Sequence, residues 1–76
     1  SFISRILEFL YQLFLTFTAG LRSIELYNAT GQLLRSVPGN PTGQMNLLTG
    51  DLVAGIYYLR AIDLDGQVHS QKVIKY

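Results

Sequence analysis

The chain has no cysteine and no tryptophan, a single histidine, two prolines and few charged residues. Without cysteine there is neither a disulfide staple nor a cysteine-based zinc site. His69, the one imidazole, has no second His or Cys to share a metal or a catalytic step with, so it is expected as a solvated strand residue. No Gly-x-Ser-x-Gly elbow occurs. The glycines at 31, 39, 43, 50, 55 and 66 never form the Gly-x-Gly-x-x-Gly cluster of a phosphate cradle. Charged residues are 14% of the chain, against a typical quarter. The net charge is +1, with neither the Lys/Arg clusters of a nucleic-acid binder nor an acidic solvating tail. No 18-residue uncharged apolar run exists, so no membrane-spanning helix is expected. A chain of 76 residues makes one small domain that buries only about 60% of its unfolded surface. Its core is thin and leaves little room for a deep active-site cleft. No enzyme activity, catalytic residue, cofactor or metal is expected.

What is present is apolar and unevenly placed. Residues 1–20 hold 12 of the 37 hydrophobic residues, including all four Phe, and only two charges, Arg5 and Glu8. That front end makes a poor secretory signal, because Arg5 is its whole basic region and Glu8 interrupts the apolar stretch. Ile3, Ile6, Leu10, Leu13 and Phe17 fall at spacings of three and four, which suits one face of a helix. Phe2, Leu7, Phe9 and Phe14 lie off that face. Residues 1–11 are therefore expected as a separate apolar helix or arm. So short a helix is marginal alone. It would pack on the domain, on an upstream domain or on a second copy, giving a homodimer.

From Leu13 onward the pattern is that of strands. Leu13, Leu15 and Phe17 alternate with Phe14 and Thr16, and Ile24 and Leu26 alternate with Glu25 and Tyr27. Asn28-Ala29-Thr30-Gly31 is a turn, since Asn starts turns well and Gly accepts positive φ. Leu33 to Val37 returns, residues 38–43 form a loop, and Met45 to Leu48 is a short strand. Ile56 to Ile62 is the strongest strand, rich in β-branched, aromatic and aliphatic residues. Asp63-Leu64-Asp65-Gly66 is a hairpin signal, followed by a last strand from about Gln67 to Lys75. The fold class this predicts is all-β: a small antiparallel Ig-like β-sandwich of six to seven short strands over residues 12–76.

Individual residues carry competing readings. Asp63, Asp65 and Gly66 resemble the front of a calcium loop, but the later acidic ligands are missing, so tight-turn chemistry explains them better. Asn28-Ala29-Thr30 matches a glycosylation acceptor, although Asn28 is already employed at the turn. Tyr57 and Tyr58 face opposite sides of their strand; one belongs to the core and the other is free for a binding surface.

Taken in order, these stretches resemble a known family. Ile24-Glu25-Leu26-Tyr27-Asn28-Ala29-Thr30-Gly31-Gln32-Leu33-Leu34 looks like the strand–turn–strand opening of the C-terminal sorting domain of the bacterial type IX secretion system. Asp51-Leu52-Val53-Ala54-Gly55-Ile56-Tyr57-Tyr58-Leu59-Arg60 resembles that family's Leu-Pro-Ala-Gly-Val-Tyr motif. Asp65-Gly66 and Gln71-Lys72-Val73-Ile74-Lys75 resemble its final hairpin and last strand, and the sequence ends one residue later, as the family's proteins do. The motif positions carried over are Gly31, Leu52, Ala54, Gly55, Tyr57, Asp65 and Gly66. Val53 stands where Pro is usual. The family's opening Pro-Asn-Pro-Phe-like turn would fall on residues 6–9, where only Phe9 agrees.

The resemblance implies an address rather than a chemistry. Such a domain follows a cargo domain, passes through the periplasm by means of a separate N-terminal export signal, and crosses the outer membrane to the cell surface or the medium. Its implied partners are an outer-membrane shuttle protein, the translocon and a sortase that removes it. Lys72, Val73, Ile74 and Lys75 are the expected recognition residues. A terminal edge strand can be read by β-augmentation, with Lys72 and Lys75 supplying surface charge. The competing roles are closing the core, for Val73 or Ile74, and guarding an edge strand from aggregation, for the lysines. Two further readings stand beside this one: an Ig-like accessory or carbohydrate-binding module of a secreted protein, and a self-assembling or membrane-facing module driven by residues 1–17.

Overall fold

The alternation seen from Leu13 onward becomes a two-layer β structure in the computed structural model, which describes residues 2–8 and 11–76, with side chains at 2–6 and 11–76. Among the described residues seven strands follow in chain order: β1 Ile3–Glu8, β2 Gln12–Phe17, β3 Leu21–Asn28, β4 Leu33–Pro38, β5 Gln44–Leu48, β6 Gly55–Asp63 and β7 Val68–Lys75. A three-stranded sheet has the order β1-β2-β5, and a four-stranded sheet has the order β4-β3-β6-β7. Every pairing is antiparallel.

The inner faces are the apolar sets read from period-two alternation. Leu13, Leu15, Phe17 and Leu47 come from the smaller sheet, and Leu21, Ile24, Leu26, Tyr57, Leu59, Ala61 and Val73 from the larger. Ile24, Leu59 and Ala61 are wholly buried.

Residues 3–8 correct the expectation of a helix: they form an edge strand, β1, hydrogen-bonded to β2. The cause of the misleading spacing is a register shift between Ile3 and Arg5. Ile3 pairs with Phe17 and Ile6 with Leu15, so one extra residue in β1 turns a spacing of two into a spacing of three. Phe2, Ile3 and Ile6 pack against the core of their own chain. The surplus residues Phe9 and Leu10 lie outside the described residues. A second shift, between Leu21 and Ser23, likewise lets Leu21 and Ile24 both face inward.

One five-residue pattern, Asn/Asp-x-Thr/Asp-Gly-Gln, serves three connections: 28–32, 40–44 and 63–67. In the β3–β4 and β6–β7 hairpins it builds the same turn. The first residue's amide donates to the carbonyl of the Gln, the glycine amide donates back, and the first side-chain Oδ1 accepts two further amides. Gly31 and Gly66 have φ of 89° and 88°, which side chains with a Cβ adopt at a cost. The middle copy carries the chain from one sheet to the other, with Asn40 Oδ1 accepting from Thr42 and Gly43. Asn28 Oδ1 accepts three hydrogen bonds and its Nδ2 donates to Gln32. The side chain is thus spent on the turn.

Candidate functional site

The site is built where β7 ends beside the loop between β5 and β6. The loop folds back at Thr49, whose amide donates to Tyr11 O and whose carbonyl accepts from Leu52 N at 3.1 Å. Lys75 Nζ reaches across the sandwich and donates to Thr49 O at 2.5 Å and Leu52 O at 2.6 Å. One residue beyond Leu52 in the same loop, Val53 O accepts from Tyr57 Oη of β6 at 2.5 Å. The Tyr57 ring is buried, and its hydroxyl ties the loop four residues upstream. Gly55 sits between these ties with φ 153°, a backbone state that favours glycine. Val53 is 78% exposed, so its side chain contributes nothing that Pro would disturb, and Ala54 is exposed beside it.

Together these groups line a cavity of about 250 Å³ that opens to solvent. Five of the residues singled out from the sequence, Leu52, Tyr57, Val73, Ile74 and Lys75, line it, joined by Gln12, Leu13, Leu26, Thr49 and Tyr76. Gly31 lies in the turn at the same end of the larger sheet, since Asn28 pairs with Tyr57. Asp65 and Gly66 lie at the opposite end, in the turn after Asp63. Gln12 and Thr49 gave no sign in the sequence; they arrive from strands distant in the chain.

β7 is an edge strand. Asp63 N donates to Gln67 O at the hairpin, which sets the phase of the ladder. Alternation from there turns the main chain of Val68, Ser70, Lys72 and Ile74 toward the open edge. The Lys72 carbonyl accepts from Gln71 Nε2 at 3.1 Å. Lys72 is exposed, Val73 closes the core, and Ile74 faces outward. Lys75 departs from its expected place as a surface charge, because its ammonium is held by loop carbonyls.

Electrostatics are local. Arg35 binds both oxygens of Asp51 in the same loop; this bond holds the Asp51 carboxyl below its ordinary value. At the far end, His69 Nε2 lies 3.0 Å from Asp63 Oδ2, and its ring stacks on Phe2 at 4.2 Å. His69 is thus partnered on both sides, unlike the solvated residue expected. The His69 contact also lowers the Asp63 carboxyl, with the amides of Gln67 and Asp65 adding to it. Asp63 Oδ1 is occupied by the amides of Asp65 and Gln67, which is turn chemistry. Among the described residues no group of three His, Cys, Asp or Glu could hold a metal ion.

On the outer face of the larger sheet, Tyr27 pairs with Tyr58 and Tyr58 with Lys72. Tyr27 Oη donates to Glu25, and Arg60 reaches both. Comparison with protein-family models, with curated proteins and with solved structures returns no match.

Proposed function

We propose that the domain is a secretion-sorting module that directs a cargo protein across the bacterial outer membrane, read by a shuttle and translocon and then removed by a sortase. The observation that carries this is the meeting of the two stretches that resemble the family. Lys75 of the last strand grips Thr49 and Leu52 of the loop, and the loop is tied again by Tyr57. β7 is thereby fixed in place while its outer edge stays open, the arrangement that β-augmentation needs.

The strand order also supports an Ig-like sandwich. It differs from the constant-type order only in the fourth strand, which pairs with β3 instead of β5. The Tyr57–Val53 bond has the form of the tyrosine corner of such domains. The test fuses these residues behind an exported fluorescent reporter in a bacterium carrying the type IX system. Surface delivery should depend on residues 72–76. A reporter left in the periplasm with the domain folded refutes the reading.

A second reading, a carbohydrate-binding accessory module, is favoured by exposed Tyr58 beside Tyr27, Arg60 and Lys72. Polysaccharide binding that disappears in Tyr58→Ala would select it.

A further inference from the structure

The cavity at the end of β7 has walls of one kind and polar groups of another. Leu13, Leu26, Leu52, Tyr57 and Val73 make the walls apolar. Its polar side chains come from Gln12, Thr49 and Lys75, beside the 90% exposed Tyr76. An ammonium has three donors, and two of Lys75's go to the neutral carbonyls of Thr49 and Leu52. Among the described residues no ion pair involves Lys75; Asp51 of the same loop acts on it only at longer range, its carboxylate being bound by Arg35. Gln12 Oε1 accepts from Asn46, which leaves the Gln12 NH2 group to donate elsewhere. Thr49 is 7% exposed, yet no described buried side-chain oxygen lacks a partner. The Thr49 hydroxyl makes no hydrogen bond among the described residues and so keeps some access to the cavity.

These three donors, one of them charged, call for an anionic acceptor carried on an apolar body. We propose that the cavity binds a small monocarboxylate with a compact hydrocarbon or aryl tail. Its carboxylate meets Lys75, Thr49 and Gln12, and its tail lies among Leu13, Leu26, Leu52 and Val73. Size follows from proportion: an apolar cavity of about 150 Å³ holds benzene, so about 250 Å³ holds about ten heavy atoms. Octanoate and 3-phenylpropionate are of that size. This inference does not depend on the sorting function: Lys75 enters both, but ligand binding is read on the domain by itself and surface delivery in the cell.

The test is an amide NMR titration of the whole domain with octanoate, octanol and octylamine. Octanoate should give saturable shifts at residues 12–13, 49–52 and 73–75, with a Kd of about 0.1–1 mM for a ligand of this size. Octanol should bind about tenfold more weakly, as the charge-assisted hydrogen bonds are lost, and octylamine not at all. Lys75→Met should weaken octanoate by about tenfold and leave octanol unchanged. If Lys75→Met loses its dispersed spectrum, Thr49→Val and Gln12→Leu carry the test, each weakening octanoate but not octanol. Absence of saturable shifts up to about 10 mM, far above the affinity expected from size, overturns the proposal. So does octanol binding as tightly as octanoate, or octanoate affinity unchanged in every folded variant.

Discussion

The two ends of the sandwich are finished by side chains of the same strand in opposite ways. At one end His69 of β7 lies between the Phe2 ring and the Asp63 carboxylate. One ring face is stacked and a ring nitrogen is in contact with a carboxylate. At the other end Lys75 of β7 grips two neutral carbonyls and faces a cavity. The first end is packed shut by an aromatic residue of the chain's front segment. The second keeps space and an ammonium without a carboxylate in contact. A small domain can afford few such openings, because its core is thin. The open end is also where the loop needs three separate ties, from Thr49, Lys75 and Tyr57.

Truncation at each end should expose this difference. Phe2→Ala removes a ring packed on Phe17 and His69 and should cost about 2–3 kcal/mol, below the 3–5 of a fully buried Phe. Leu52→Ala enlarges a space that already exists and should cost about 1 kcal/mol, since fewer packed neighbours are lost. Urea unfolding of both variants measures the pair; equal losses would mean that the two ends are packed alike.

The smallest effect is acid dependence at the closed end. The folded Asp63 carboxyl lies below its ordinary 3.8, so the unfolded chain takes up that proton first. Its stabilisation is complete above about pH 3.8 and is lost as pH falls through the lower folded value. Asp63→Asn keeps the turn, as Asn28 does in its own copy, and should flatten the fall of thermal midpoint between about pH 4 and 2. Asp51, lowered by Arg35, would supply the acid sensitivity that remains. An unchanged slope would remove Asp63 from the account.

The six strands from β2 to β7 were legible because runs of inward residues alternate within them, as in Leu13-Leu15-Phe17 and Tyr57-Leu59-Ala61. β1 was hidden by its bulge, which sets Ile3 and Ile6 three apart and so imitates a helix. Tyr57 and Gly55 were found through a motif whose physical content is a hydroxyl tie and a glycine-only backbone angle. The cavity was not legible. Its lining comes from residues 12–13, 26, 49, 52, 57 and 73–76, and no local pattern brings Gln12 to Thr49.

The repeated five-residue turn has a kinetic consequence. The β3–β4 and β6–β7 hairpins can each close locally, in about 1–10 μs. The seams that make a sandwich are longer: Thr16 meets Gln44, 28 residues on (44 − 16), and Asn28 meets Tyr57, 29 on (57 − 28). Closing such spans before any contact rewards them governs the rate. Stopped-flow refolding should therefore fall in the range of about milliseconds to seconds, with microsecond hairpins waiting on the seams that join them.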